Sequence, residues 1–90
     1  MNCMFQYVYL LNNLKGDSYV GCTNNLNNRL ERHNKGSVTA TKLNRPWKII
    51  TYFAFNNKFT AFNFEKYLKT GSGREFIKKH IHGLTKLKVK

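Results

Sequence analysis

Acidic residues are scarce in this chain: four Asp and Glu stand among ninety residues, against sixteen Lys and Arg. Four acids leave no room for a catalytic centre built from three or four clustered carboxylates. Cysteine is rarer still. Cys3 and Cys22 are too few for a disulfide framework and are not spaced Cys-x-x-Cys, so they read as reduced thiols of a cytoplasmic protein. A zinc site joining them to His33, His80 or His82 fits no zinc-ligand spacing. Long apolar runs are also missing, so no segment of about 20 apolar residues could cross a bilayer as a helix. The opening Met1-Asn2-Cys3-Met4-Phe5-Gln6 lacks the basic start and apolar stretch of a secretory signal. A membrane is therefore not an expected partner.

What is present is a core and a strong field. Hydrophobic residues make up 41% and aromatics 14% of the chain, too much apolar material for a disordered basic tail. The length suits one domain that buries roughly 60–65% of its unfolded surface. A formal charge of +12 on such a chain repels itself and favours a polyanionic partner.

The order of elements follows from local patterns. Residues 4–11 read as a strand, with Phe5, Tyr7, Tyr9 and Leu11 on one face and Met4, Gln6, Val8 and Leu10 on the other. Both faces are largely apolar, which suits a central strand. Asn12 to Asp17 is turn chemistry, and Ser18 to Cys22 is a second strand closing an antiparallel hairpin. Thr23 or Asn24 caps a helix that runs to about Lys35 and stops at Gly36, with Leu26 and Leu30 as its buried stripe. A polar segment leads to Pro46. There a third strand begins, with Trp47, Ile49, Thr51, Phe53 and Phe55 alternating with Lys48, Ile50, Tyr52 and Ala54. A helix over about 58–69, a closing Thr70-Gly71-Ser72-Gly73 and a short helix over 74–81 follow. The expected fold is α+β: a small sandwich of order ββαβαα whose three-stranded, mainly antiparallel sheet is flanked by helices. Residues 1–82 form the domain and 83–90 a short basic tail.

Charge is unevenly spread over these elements. Residues 1–23 balance Lys15 against Asp17. Residues 24–48 carry Arg29, Arg32, Lys35, Lys42, Arg45 and Lys48 against Glu31 alone. Residues 71–90 carry Arg74, Lys78, Lys79, Lys86, Lys88 and Lys90 against Glu75 alone. Such patches hold phosphates without reading sequence, which points to nucleic acid, DNA foremost.

Three features go beyond a solvated basic surface. Tyr9 and Tyr19 lie ten positions apart on adjacent strands, and a tight hairpin can bring their hydroxyls together beside Gly21. Arg29 and His33, four residues apart, flank the buried stripe of the first helix, where an arginine can fork onto a phosphate. Glu65 falls between Ala61 and Leu68 on the apolar stripe of its helix, flanked by Phe62 and Phe64. A carboxylate there requires a partner, either Arg29 or Lys69, or a divalent ion completed by water and phosphate.

Taken in order, Tyr7-Val8-Tyr9, Tyr19-Val20-Gly21, Thr23, Arg29, His33 and a helical Glu65 resemble the GIY-YIG nuclease superfamily. Arg45-Pro46-Trp47-Lys48, then Glu65-x-x-Leu68-Lys69 and Gly71-Ser72-Gly73-Arg74, are similar to its small single-domain bacterial branch. That branch is itself similar to the N-terminal nuclease domain of the excision-repair endonuclease subunit. The resemblance spans roughly residues 4–80. Tyr7 stands where the name-giving glycine would be, a position that contributes backbone.

The resemblance implies a metal-dependent endonuclease that hydrolyses phosphodiester bonds of DNA, selecting structure rather than sequence. Glu65 would hold one divalent ion, Mg²⁺ or Mn²⁺, and Arg29 would neutralise the transition state. Tyr9 would activate water and Tyr19 orient it, with the reverse assignment open; His33 would bond a tyrosine hydroxyl or the phosphate. Thr23, Lys69 and Arg74, with Arg32, Lys42, Arg45 and Lys78 from the basic patches, would contact the nucleic-acid backbone. No base-reading element is recognisable, so targeting would fall to DNA shape, the 36–46 loop, a homodimer or a partner protein. Two rivals differ in kind: a non-catalytic nucleic-acid-binding module of the same fold, and a metal-free ribonuclease using His33 with Glu65 or His80.

Overall fold

A computed structural model describes residues 5–82. The expected strand start at Met4 and the tail from Gly83 to Lys90 lie outside the described residues, as does Cys3. The aromatic first segment forms a strand over Gln6–Asn13 (β1) and pairs antiparallel with Ser18–Thr23 (β2). Gly16 makes the hairpin possible by taking φ +89°. The Asn13 side chain braces that turn, accepting from the amides of Lys15 and Asp17. Trp47–Phe55 forms the third strand (β3), antiparallel to β1 on its other side. The sheet order is therefore β2-β1-β3, with the doubly apolar strand in the middle as its composition requires.

Helices cover both faces. The first, Leu26–Asn34 (α1), starts later than Thr23 or Asn24 would place it. Asn25 is the N-cap, its side chain accepting from the Asn28 amide. Thr23 is instead buried at the strand end, where its hydroxyl accepts from the Asn25 amide. Gly36, at φ +83°, terminates the helix as expected. Lys58–Leu68 (α2) is capped by Asn57. Thr70-Gly71-Ser72-Gly73, read as a closing loop, opens the next helix: Thr70 caps Gly71–Ile77 (α3), and a π-helical turn over Lys78–His82 follows. Gly73 is needed because its Cα presses on the α2 backbone at Tyr67 and Leu68, where a Cβ has no space. Among the described residues, no helix is long and apolar enough to cross a membrane.

The core divides into two clusters. Val8, Leu10, Ala61, Leu68 and Ile77 are buried between the sheet and α2–α3. Tyr9, Leu11 and Trp47 are buried on the opposite face, with Tyr19, Leu26, Leu30 and Ile49 packed around them. Strict alternation along β3 does not hold. A register shift opposite Leu10 and Leu11 sends Trp47 and Ile49 to the α1 face, while Phe55 packs on the α2 face and Phe53 meets the Phe64 ring at 4.9 Å. One extra residue in a strand reverses which side chains share a face, so a bulge lets β3 serve both cores.

Candidate active site

The two tyrosines come together as the hairpin register dictates. Tyr9 pairs with Gly21 across β1 and β2, and Tyr19 lies two residues before Gly21 on the same face. The phenol of Tyr9 crosses directly over Gly21: a Cβ on that glycine would meet the Tyr9 hydroxyl and the ring carbon that bears it. Gly21 thus gives way to Tyr9 itself, not to a helix or a ligand backbone.

Beneath this pair, α1 supplies His33, which is wholly buried. The Tyr9 Oη lies 2.8 Å from His33 Nε2, and His33 Nδ1 lies 2.7 Å from Thr41 Oγ1. Thr41, also buried, comes from the segment between α1 and β3. The imidazole edge meets both the Tyr9 and Tyr19 rings, at centroid distances of 5.7 and 5.2 Å. Of the two roles open to His33, the structure shows the contact with a tyrosine hydroxyl.

The proton positions follow from the donor inventory. The Thr41 hydroxyl donates to the Val38 carbonyl at 3.4 Å, so toward His33 it is the acceptor, and Nδ1 carries the ring proton. A neutral ring then leaves Nε2 to accept from the Tyr9 hydroxyl. Arg29, half-buried one turn before His33, bears electrostatically on the same phenol. Burial, with the Arg29 and Arg32 charges, holds His33 below the ordinary histidine range, so the ring is neutral. Burial likewise pushes the Tyr9 phenol up to about 12, the Arg29 charge and hydrogen bond pulling the other way.

On the far side, α2 brings Glu65, with Oε2 3.0 Å from Lys69 Nζ. Of the two partners open to Glu65, Lys69 is the one adopted. Its side chain keeps 22% exposure, so it sits at the border of the core rather than within it. Phe62 is exposed and does not flank a buried carboxylate. The Lys69 ammonium stands 5.8 Å from the Tyr19 ring centroid, which ties α2 to the hairpin. Glu65 also bears electrostatically on Tyr9.

A cleft of about 550 Å³ opens beside this group, lined by Ser18, Tyr19, Val20, Leu68, Lys69, Arg74, Ile77 and Lys78. Three of the expected backbone contacts, Lys69, Arg74 and Lys78, therefore share one concavity with Tyr19. The others stand apart from its lining. Arg32 and Lys42 are exposed on α1 and after it, and Arg45 turns back to donate to the Lys42 carbonyl at 2.8 Å. The Thr23 hydroxyl is engaged with the start of α1. His80 lies against Phe76, with ring centroids 4.8 Å apart, on α3 and the turn after it rather than beside His33.

Two supports carry no mark in the sequence. Thr41 sits in a polar stretch without periodicity, and Asn34 is an unremarked helix-terminal amide. Yet Asn34 clamps the start of β3 at both ends of its amide, accepting from the Trp47 amide at 2.6 Å and donating to its carbonyl at 3.0 Å. An Asn at a helix end and a Thr below a cis Arg45-Pro46 turn are ordinary surface residues until the fold closes.

A hairpin carrying paired tyrosines, an Arg/His helix across one face and a glutamate-bearing helix across the other make up one small α+β domain. Residues 5–80 match the family described as the GIY-YIG catalytic domain, and the chain belongs to that family. It is 41% identical over 86 residues to a UPF0213 protein of Pediococcus pentosaceus, covering 91% of this chain and 90% of that one. It is 38% identical over 64 residues to a UPF0213 protein of Clostridium perfringens, covering 70% and 69%. The solution NMR structure of UPF0213 protein BH0048 from Bacillus halodurans superposes with a TM-score of 0.54 at 29% identity, covering 90% of this chain and 85% of that one.

Proposed function

We propose that this protein is a metal-dependent endonuclease that hydrolyses phosphodiester bonds of DNA, selecting shape rather than sequence. The observation that carries this reading is the Tyr9–His33–Tyr19 cluster with Arg29 near it, linked through the Tyr19 ring to Lys69 and its partner Glu65, beside a cleft lined by Lys69, Arg74 and Lys78. A nucleic-acid backbone drawn into that cleft by its cations would pass Tyr19 and reach the Arg29 side of Tyr9.

The donor chemistry fits one hard divalent cation. Glu65 offers partly exposed carboxylate oxygens beside Lys69, which lines the cleft, and no group of three or more His, Cys, Asp or Glu clusters among the described residues. Water and substrate phosphate would therefore complete the coordination, as Mg²⁺ and Mn²⁺ accept. When bound, the ion supplies Lewis-acid stabilisation of the phosphoryl and leaving oxygens. Arg29 adds a fixed positive charge where the phosphorane gains negative charge. Tyr9 takes a proton from the attacking water as its own proton passes to neutral His33, a relay that spares the site a free phenolate. Tyr19, lining the cleft, orients water or phosphate.

The test is a cleavage panel of branched, nicked, duplex and single-stranded DNA with Mg²⁺ or Mn²⁺, run with Glu65→Ala, Arg29→Ala and an EDTA control. Cleavage that EDTA and Glu65→Ala abolish, and that Arg29→Ala reduces by about 10²–10³, supports the reading. Activity surviving both substitutions overturns it. Strong, salt-dependent binding without cleavage under either metal would instead mark a binding module of the same fold. Cleavage of RNA in EDTA would mark a ribonuclease, although the separation of His33 from His80 removes one of its two acid–base pairs.

A further inference from the structure

The buried arrangement around His33 contains one polar residue that neither cleft nor substrate explains. Thr41 is 1% exposed and lies at the end of a polar loop that has no other buried side chain. It is held from several directions. Its amide donates to the Val38 carbonyl at 3.1 Å, and its own carbonyl accepts from the Trp47 indole at 3.0 Å and from the Asn44 amide at 3.2 Å. Trp47 is in turn clamped to α1 by Asn34. The Thr41 hydroxyl is thus fixed against the α1 ring it touches, 2.7 Å from His33 Nδ1.

We propose that Thr41 is a positioning residue for hydrolysis: it accepts from His33 Nδ1–H and so keeps Nε2 unprotonated toward the Tyr9 hydroxyl. The assignment rests on the nuclease reading above. A neutral imidazole carries one proton, and which nitrogen bears it is set by the bond the other ring edge makes. Were Nε2 protonated, it would donate to the Tyr9 oxygen 2.8 Å away, and the relay would have no acceptor. A third group that fixes a histidine's tautomer also serves nucleophile–histidine pairs of quite different folds.

An O–H bond of the attacking water breaks and its proton joins Tyr9 Oη, while the Tyr9 proton moves to His33 Nε2. The water's freed electron pair forms the new P–O bond, and the bond to the leaving oxygen breaks. That oxygen takes a proton from solvent, and His33, transiently an imidazolium, returns its Nε2 proton through Tyr9 to solvent. Thr41 holds Nδ1–H throughout and transfers nothing.

The experiment compares Thr41→Val, which keeps the shape and removes the acceptor, with Thr41→Ser, which keeps it. Nitrogen-15 NMR of the histidine ring reads the tautomer, thermal unfolding reads the fold, and kcat and KM are measured on a DNA that the wild type cleaves. The expected result is a wild-type ring protonated at Nδ1, and a Thr41→Val ring shifted toward Nε2–H. Its kcat falls about 10–100-fold, the scale for removing an outer supporting hydrogen bond, at unchanged KM, with Thr41→Ser close to wild type. If Thr41→Val does not fold, Thr41→Cys replaces it, its weak acceptor giving an intermediate loss. An unchanged tautomer, an unchanged kcat, or a loss confined to KM overturns the proposal. A wild type that cleaves no DNA overturns the nuclease reading and Thr41's part in hydrolysis together. In that event the ring spectrum separately shows whether Thr41 sets the tautomer.

Discussion

The central strand faces two different interiors. On one side Val8 and Leu10 meet Ala61, Leu68 and Ile77 in a wholly apolar cluster. On the other, Tyr9 and Leu11 meet a layer threaded with polar atoms: the Tyr9 hydroxyl, the His33 ring and the Thr41 hydroxyl, all buried. Alternate residues of one strand thus separate an interior held by apolar packing from one held by hydrogen bonds. Beneath α2–α3 the buried set is apolar, while Glu65 and Lys69 stand at the rim of α2. The α1 face depends on hydrogen bonds with fixed partners, because each buried polar atom left unpaired costs about 1–3 kcal/mol.

The largest expected effect sharpens that contrast from the apolar side. Leu10→Ala removes a side chain 2% exposed at the centre of the α2–α3 cluster. It should lower stability by about 2–5 kcal/mol, measured by denaturant or thermal unfolding. Cleavage per folded molecule should be unchanged, since Leu10 projects away from Tyr9. A change in kcat at a temperature where the variant is folded would break the separation.

Gly21→Ala probes the seam from the other side and should cost less. The added methyl would collide with the Tyr9 phenol, so the ring must leave its present place beside His33. Overpacking of this kind costs about 1–3 kcal/mol, measured by the same unfolding curves. Unlike Leu10→Ala, it should depress kcat even in fully folded protein. Loss of stability without loss of turnover would separate the Tyr9 position from the reaction.

How much of this was legible beforehand follows the range of the contacts. The aromatic run of β1, the alternation around Gly16 and the stop at Gly36 act over a few residues, and the hairpin, the sheet and the end of α1 came out as expected, while its cap moved to Asn25. Tyr9 and Tyr19 could be paired because the turn between them is short. Glu65 stood out as an acid between Ala61 and Leu68 on a helical wheel, yet its choice of Lys69 over Arg29 depends on how α1 and α2 sit about the sheet. The bulge in β3 was hidden, since Trp47 to Phe55 alternates well enough to suit one unbroken face. Thr41 was hidden more deeply. Its partner lies eight residues away across an irregular loop, and the sequence carries no period from which that contact could be read.

Titration should show the same division between faces. His33 is held below its unfolded value of about 6.5, so the folded ring stays neutral where the unfolded chain takes up a proton. The unfolded state then binds more protons, and stability is fully present above about pH 6.5 and lost as pH falls toward the folded value. At the alkaline end Tyr9, raised from 10 to about 12, reverses the sign. The unfolded phenol ionises first, so stability declines as pH rises through the interval between those values. Unfolding curves collected across pH should show both limbs. His33→Gln should remove this histidine's contribution to the acid limb, and a limb that persisted in full would assign it to other groups.

The smallest effect concerns two glutamates that look alike in sequence. Glu31 and Glu65 each precede a lysine by four residues, and both form the pair, at 3.8 and 3.0 Å. The Glu31 side chain is 63% exposed and Glu65 only 22%, so water screens the first pair far more. Exposed i, i+4 helix pairs contribute about 0.3–0.5 kcal/mol, and Glu31→Gln should shift stability by no more than that and leave cleavage unchanged. Glu65→Gln keeps the size and the hydrogen-bonding oxygen but removes the charge, so it should change the fold equally little and abolish metal-dependent cleavage. Equal effects of the two substitutions on cleavage would mean that the half-buried position of Glu65 carries no catalytic meaning.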